Sequence, residues 1–192
     1  MVAAVRDVSE RRAHEAALHE LSQRDELTGL FNRRGFFAHA ESALVQAART
    51  QTPRLLLYGD LDRFKAINDT RGHAAGDAAL RAVARALRAV FRPVDVLGRL
   101  GGDEFVVLAE GTAERAIALR SRLADALASA AHDAAALGGA DVAMSVGMAA
   151  FRPDVPGVGS GAALLSALLK EADAKLYAAK AARKGARGVT AA

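Results

Sequence analysis

The chain has 192 residues, a net charge of +4, an apolar fraction of 52% and a charged fraction of 25%. This composition is typical of one globular domain and argues against disorder along the whole chain. Because cysteine is absent, disulfide bonds and thiolate metal sites are excluded, and any metal must be held by oxygen or histidine.

Hydrophobic periodicity predicts helices and strands in alternation along the chain. In order, we predict a charged linker helix at 9–23, a helix at 34–49, a strand at 55–58, a loop around Gly72 and Gly76, and a helix around 80–90 that ends at Pro93. A hairpin follows, with strands 94–100 and 104–108 and its turn at Gly101 and Gly102. The remaining predicted elements are a helix at 112–131, a strand at 141–151 and a helix at 162–182. The fold class is therefore α+β, an α/β sandwich with a central, mainly antiparallel sheet flanked by helices on one or both faces.

The apolar stretches of the chain argue against a membrane segment. The longest of them, 142–151 and 162–169, are much shorter than the roughly 20 residues that span a bilayer. Charged residues interrupt the first twelve positions, unlike the apolar region of a signal peptide. We therefore expect a cytoplasmic location. The scattered basic residues, with few aromatic residues among them, give no reason to expect a nucleic-acid partner.

Two aspartates follow the predicted strand at 55–58. Strand alternation places Asp60 and Asp62 on the same face, where charged carboxylates are costly unless they are paired or bind metal. The alternative is that both side chains only cap the following turn. The residues themselves leave this choice open.

A second acidic pair, Asp103 and Glu104, follows the glycine pair of the predicted hairpin. Acids at a hairpin tip usually face water. If the hairpin lies beside the Asp60 strand, however, Asp103 and Asp60 can converge on hard divalent cations, and the glycines let the backbone approach a phosphate. Such a site suits two-metal nucleotidyl transfer, which needs no nucleophilic side chain.

Several sequence motifs occur in an order that resembles one known family. They are Asp-Glu-Leu-Thr-Gly-Leu-Phe-Asn-Arg-Arg at 25–34, Asp-Leu-Asp-Arg-Phe-Lys-Ala-Ile-Asn-Asp at 60–69, Gly-His at 72–73, Gly-Asp at 76–77, Gly-Gly-Asp-Glu-Phe at 101–105, and Ala-Asp at 172–173 with Tyr177 and Lys180. From about 24 to 184 the chain resembles a GGDEF-domain diguanylate cyclase. The resemblance implies a fold related to nucleotidyl cyclases and the polymerase palm, and the condensation of two GTP into cyclic di-GMP and two pyrophosphates.

The resemblance also implies a domain organisation and a dimer. Residues 24–192 form the cyclase domain, and 1–23 form a linker or signalling helix whose start resembles the end of a PAS sensory domain; a solitary amphipathic helix packed on its own domain is the alternative. Each domain holds one GTP, so we expect catalysis across a homodimer. The competing function is a binding module that holds GTP or cyclic di-GMP without turnover. A phosphodiesterase is disfavoured because no EAL-type domain follows.

Metal and catalytic roles follow from the same resemblance. Two Mg²⁺ or Mn²⁺ ions per site are expected, held by the carboxylates of Asp60 and Asp103 and the carbonyl of Leu61. Glu104 supports metal binding or activation of the hydroxyl. Arg99 stabilises charge on the reacting phosphate, and Lys65 contacts the triphosphate.

Substrate contacts are implied at both ends of the nucleotide. Asn68 and Asp77 match the residues that read guanine, since a carboxylate can accept from its N1 and N2 protons. The remaining expected contacts are Phe64, Gly101, Gly102, Lys180 and Lys184. Where many relatives have Gly-Arg-Asn, this chain has Arg-Lys-Gly at 183–185, so Lys184, or Arg183 or Arg187 in a shifted register, supplies the second phosphate contact. Arg63, where an aromatic residue is frequent, is interpreted as neutral.

Five residues separate an RxxD motif, Arg92 to Asp95, from Gly101. At this spacing it matches the inhibitory site at which members of the family bind their product. In that interpretation Arg92 binds a guanine edge or phosphate of cyclic di-GMP, Asp95 accepts from guanine, and Arg122 contributes. The alternative is a relic that only ends the helix at Pro93.

Overall fold

In the computed structural model, the described residues are 23–138, 141–153 and 159–188, with side chains described to residue 182 in the last helix. The described helices and strands are α1 Arg33–Thr50, β1 Arg54–Leu61, α2 Phe64–Arg71, α3 His73–Val90, β2 Val96–Gly101, β3 Glu104–Glu110, α4 Ala116–His132, β4 Met144–Phe151 and α5 Gly161–Gly188. The predicted linker helix at 9–23 lies outside this part of the chain, apart from its last residue. None of the described helices is long and apolar enough to cross a membrane.

The four described strands form one antiparallel sheet in the order β2-β3-β1-β4. Its central strand β1 pairs with β3 and β4, so Asp60 lies between Glu104 on one side and Ser145 on the other. Helices cover both faces: α1 and α5 pack on one, and α3 and α4 on the other. The predicted α+β class with a mainly antiparallel sheet is confirmed.

Alternate residues of β1 contribute to two separate apolar cores because side chains in a strand point to opposite faces. Leu56 packs with the core of α1 and α5, and Leu57 with the core of α3 and α4. Both leucines are at most 2% exposed. Burial on both faces explains why the sequence of β1 reads as a continuous apolar run rather than an alternating one.

Several predicted boundaries were wrong. A short helix, α2, occupies Phe64–Arg71, and α3 begins at His73, so Gly76 is helical and not in a loop. The hairpin turn lies at Gly102 and Asp103, because the strand register shifts between Arg99 and Gly101. With eight residues, of which Ile67 is buried, α2 is too short to be stable alone, so packing against its neighbours stabilises it.

The segment before α1 covers the outer edge of β2. The Phe31 N–H donates to the Leu97 carbonyl at 3.0 Å, and the Arg99 N–H donates to the Phe31 carbonyl at 2.8 Å. The Arg99 guanidinium contacts both carboxylate oxygens of Asp25, at 3.1 and 3.0 Å, and donates to the Gly102 carbonyl at 2.9 and 2.7 Å. Arg99 therefore connects the hairpin turn to the segment before α1.

The Asp25 carboxylate is the acceptor at the centre of this connection. Burial acts to raise its pKa, but hydrogen bonds from the side chain and backbone of Thr28, together with Arg99, outweigh burial and hold the pKa of Asp25 below its usual value. A lowered carboxyl pKa in the folded state means that the charged form stabilises the fold.

Strand β4 and helix α5 approach each other closely at Gly147. A Cβ at this position would overlap the Ala172 carbonyl and the Leu176 N–H, both backbone groups of α5. The absence of a side chain therefore sets the distance between the sheet and the helix that carries Lys180.

We predict that Asp25→Asn lowers the free energy of unfolding by about 1–3 kcal/mol at neutral pH, because charged hydrogen bonds are lost. The folded pKa lies below the unfolded one, so the difference from wild type is present above about pH 4 and shrinks as pH falls through the folded pKa. Urea unfolding between pH 7 and pH 3 measures it, with the exposed neighbour change Glu26→Gln as control. A difference that did not depend on pH would contradict this account.

Gly147→Ala is expected to destabilise the fold by about 1–3 kcal/mol, because the added methyl group forces β4 and α5 apart. Gly111→Ala is the matched control, since its nearest neighbours would lie 3.9 Å from the new Cβ. Thermal unfolding of both variants tests the contrast. Equal melting temperatures would show that the close approach does not limit packing.

Candidate active site

The acidic residues predicted from the sequence lie together at one end of the sheet. Asp60 is paired in register with Glu104 across β1 and β3. Asp103 occupies the hairpin turn, and its carbonyl accepts a hydrogen bond from the Leu61 N–H at 3.1 Å. Antiparallel pairing thus brings residues more than 40 positions apart in sequence to one place.

A lysine from the last helix approaches this acidic group. The Lys180 Nζ lies 2.7 Å from the Asp60 Oδ1. The two side chains are 37% and 19% exposed, so this ion pair is partly shielded from water. Helix α5 therefore delivers a positive charge to the end of β1.

Asp103 has an unusual electrostatic environment. Burial raises the pKa of Asp103, and the nearby charges of Asp60 and Glu104 raise it further, while Lys180 acts in the opposite direction. Close carboxylates resist simultaneous ionisation unless a cation shares the site. The group is consequently suited to binding positive charge.

Two further residues of the site were not predicted from the sequence. The Tyr58 hydroxyl donates to Glu104 Oε1 at 3.0 Å, and burial together with the charge of Glu104 raises the pKa of Tyr58. The Ser145 hydroxyl donates to Asp62 Oδ1 at 2.6 Å. Tyr58 could have been found from alternation, since it lies two residues before Asp60, but Ser145 carries no signal in the sequence.

The acidic group has the chemistry of a divalent metal site that is completed by substrate. Among the described residues, no group of three or more histidine or acidic side chains is arranged to hold a metal ion. Mg²⁺ ordinarily takes one or two protein carboxylates and completes its shell with water and substrate phosphates. The repulsion between Asp60 and Asp103, and the ammonium of Lys180 at the Asp60 oxygen, show a site that accepts a cation. The residues therefore fit the predicted metal.

Helix α2 and the start of α3 bring together the residues predicted to read guanine. The side chains of Asn68 and Phe64 pack against Gly76, leaving no room for a Cβ there. Asp77, the next residue of α3 after Gly76, is half-buried. Lys65 is exposed at the start of α2, and Lys184 lies in α5 beyond the described side chains.

The hairpin glycines are required by backbone conformation. Gly101 has φ 153° and Gly102 has φ 51°, and a Cβ at either position would meet no atom within 4 Å. Positive φ, and not crowding by the protein, explains these residues. Arg99, predicted to act on the reacting phosphate, lies beside this turn and contacts Asp25 and Gly102.

The RxxD motif forms the turn between α3 and β2, away from the acidic group. Arg92 is exposed, whereas Asp95 is 9% exposed. The Asp95 carboxylate accepts from the backbone N–H groups of Arg92 at 2.8 Å and Glu110 at 3.3 Å. Arg122 on α4 donates to the Val90 carbonyl at 3.3 Å, near the end of α3. Arg92 and Arg122 thus lie around the same helix end.

Comparison with curated proteins identifies two informative relatives. The chain is 42% identical over 115 residues to the probable diguanylate cyclase DgcC of Escherichia coli K12, a match that covers 59% of this chain and 31% of the relative. It is 37% identical over 177 residues to the diguanylate cyclase TpbB of Pseudomonas aeruginosa, which covers 90% of this chain and 38% of that protein. The chain therefore spans less than two fifths of either relative.

Among solved structures, the coiled coil and GGDEF domain of DgcB from Caulobacter crescentus, in complex with c-di-GMP, aligns with a TM-score of 0.72 and 26% identity. The alignment covers 93% of this chain and 91% of that one. The family model described as "Diguanylate cyclase, GGDEF domain" matches residues 22–186. With a family match over most of its length, the chain belongs to the GGDEF family of diguanylate cyclase domains.

Proposed function

We propose that this domain condenses two molecules of GTP into cyclic di-GMP and releases two pyrophosphates. The observation that carries the proposal is the group formed by Asp60, Asp103, Glu104 and Lys180 at the end of β1, in a chain of the GGDEF family. Carboxylates beside a lysine suit a reaction between a hydroxyl and a triphosphate. The curated relatives named as diguanylate cyclases support the same reaction.

Asp60 and Asp103, with the Leu61 carbonyl and Glu104, would hold divalent metal. Bound Mg²⁺ or Mn²⁺, expected at two ions per site, would lower the pKa of the attacking 3′-hydroxyl and neutralise charge on the triphosphate. Glu104 is held by the Tyr58 hydroxyl, which fixes the direction of its carboxylate. The position of Asp103 is fixed because Arg99 donates two hydrogen bonds to the carbonyl of Gly102 in the same turn.

Guanine recognition is assigned to the α2–α3 junction. The Asp77 carboxylate can accept from guanine N1 and N2 protons, and the Asn68 amide can bond the same base edge. Adenine lacks this pair of donors. The packing of Asn68 and Phe64 on Gly76 supports the assignment because it limits the positions that the amide can adopt.

Phosphate binding is assigned to Lys65, Lys180 and Lys184, with the backbone at Gly101 and Gly102 close to the nucleotide. Each 3′-oxygen forms a bond to the α-phosphorus of the other GTP, and the bond from that phosphorus to the bridging oxygen breaks. Pyrophosphate leaves with that oxygen, and each hydroxyl loses one proton. Arg99 would stabilise the charge that develops on the reacting phosphate.

One domain provides a single nucleotide site in this mechanism, so two domains must face each other to close the product ring. We therefore propose a homodimer as the active form. Residues 24–192 constitute the catalytic domain, and 1–23 a linker helix that follows a sensory domain in the cytoplasm. A solved structure of the diguanylate cyclase SiaD of Pseudomonas aeruginosa contains its activator SiaC, and a protein activator is one way to control such a dimer.

Product inhibition is proposed at the turn between α3 and β2. Arg92 is exposed and Arg122 lies beside the same helix end, so two guanidinium groups are available to the phosphates or guanine edges of cyclic di-GMP. The Asp95 carboxylate uses two of about four lone-pair sites for backbone N–H groups, so it retains capacity for guanine.

The catalytic proposal predicts cyclic di-GMP from GTP and Mg²⁺, rising more steeply than linearly with protein concentration. Asp103→Asn should lower the rate by more than about 100-fold, because it removes a metal-binding charge without changing size. Glu110→Gln, at the exposed far end of β3, the strand that follows Asp103, is the matched control and should keep the rate. Nucleotide-free protein and chromatographic detection of product provide the measurement. GTP binding without product at any concentration would favour a binding module.

The inhibitory proposal predicts that Arg92→Ala raises the concentration of cyclic di-GMP needed for half-inhibition by about tenfold or more, with unchanged synthesis in its absence. Asp95→Ala should instead lower stability by about 1–3 kcal/mol, because two backbone N–H groups lose their acceptor. Inhibition assays and thermal unfolding separate these effects. Unchanged inhibition of Arg92→Ala would show that this turn is structural only.

A further inference from the structure

A cavity of about 680 Å³ lies beside Asp60, between α2 and the start of β4. Its lining includes three cationic side chains, Arg63, Arg71 and Lys180. The residues assigned to guanine, Asn68 and Asp77, are not part of its lining. Helix α2 therefore has two functional sides: one packs Asn68 against Gly76, and the other faces this cavity.

The three cations of the cavity differ in what they already bind. Lys180 is paired with Asp60 at 2.7 Å. Arg71 donates to the carbonyls of Leu137 at 2.6 Å and Gly138 at 3.2 Å. The Arg63 side chain makes no hydrogen bond or ion pair with any residue in the described part of the chain. Its guanidinium is thus the cation of the cavity that retains all its donors for a ligand.

The backbone at Arg63 is held in an unfavourable conformation. Its φ is 60°, in the left-handed region, which costs a residue with a Cβ roughly 1–2 kcal/mol. The preceding residue is fixed, since the Asp62 N–H donates to the Ala143 carbonyl at 2.8 Å and its carboxylate accepts from Ser145. Glycine would avoid the strain, so an arginine here indicates a use for the side chain.

We propose that Arg63 is a phosphate-binding residue for the terminal phosphates of the nucleotide and for the pyrophosphate that they become. This inference rests on the proposed function and would replace the interpretation of Arg63 as neutral. Arg63 immediately precedes α2 and shares the cavity with Asp60 and Lys180, so a phosphate chain beside Asp60 lies within reach of both cations. A guanidinium binds phosphate oxygens through two parallel hydrogen bonds, which the ammonium of Lys180 cannot do.

The test uses Arg63→Gly, which removes the guanidinium and suits the left-handed backbone, so the variant should be at least as stable as wild type. Calorimetric binding is measured with three probes in Mg²⁺: pyrophosphate, GMP, and a GTP analogue with a methylene group in place of the α–β bridging oxygen. Arg63→Gly should bind pyrophosphate or the analogue about tenfold more weakly, with unchanged affinity for GMP. Arg63→Lys should recover part of the loss.

Arg49→Ala is the matched control, an exposed arginine in the last turn of α1 and distant in the fold from Asp60. Weaker binding of the analogue alone would assign Arg63 to the substrate, and weaker binding of pyrophosphate alone to the product; either supports the proposal. If Arg63→Gly bound pyrophosphate and the GTP analogue with wild-type affinity, the proposal for Arg63 would be overturned while the cyclase proposal stayed intact. If the wild-type protein bound neither pyrophosphate nor the GTP analogue, both proposals would be overturned.

Discussion

The site depends on the concentration of negative charge at one end of the central strand. Pairing of β1 with β3 sets Asp60 opposite Glu104 and brings Asp103 beside them, so that burial and then the charges of these two carboxylates raise the pKa of Asp103. A nearby cation stabilises the charged form of such a group, and Lys180 supplies one from α5. The negative charge that Lys180 leaves uncompensated explains why this group of carboxylates suits a divalent metal ion and the substrate phosphates that coordinate such an ion.

The rest of the fold holds this charge in position. Cores on both faces of the sheet fix β1, and the close approach at Gly147 sets α5 at the distance from which Lys180 reaches Asp60. On the other side, Arg99 connects the hairpin turn to Asp25, so the position of Asp103 depends on the segment before α1.

In the proposed function, helix α2 separates the two tasks of nucleotide recognition. Asn68 and Phe64 lie on the side that packs against α3, where the base is assigned, whereas Arg63 lies at the cavity that contains Asp60 and Lys180. The helix is short and has one buried residue, so its position is determined by its neighbours. Contacts such as those of Arg71 with the turn after α4 therefore contribute to the position of α2.

The sequence by itself determined the fold class, the approximate helices and strands, the family and the acidic residues, because apolar periodicity and ordered motifs are local properties of a chain. It did not determine α2, a short and mostly polar helix with one buried residue, or the turn at Gly102 and Asp103, which depends on a register shift. Only the tertiary structure decided that Tyr58 holds Glu104, that Ser145 holds Asp62, and that Arg63 opens onto the cavity. These contacts join residues from separate elements, and they exist only when the sheet has assembled in one register.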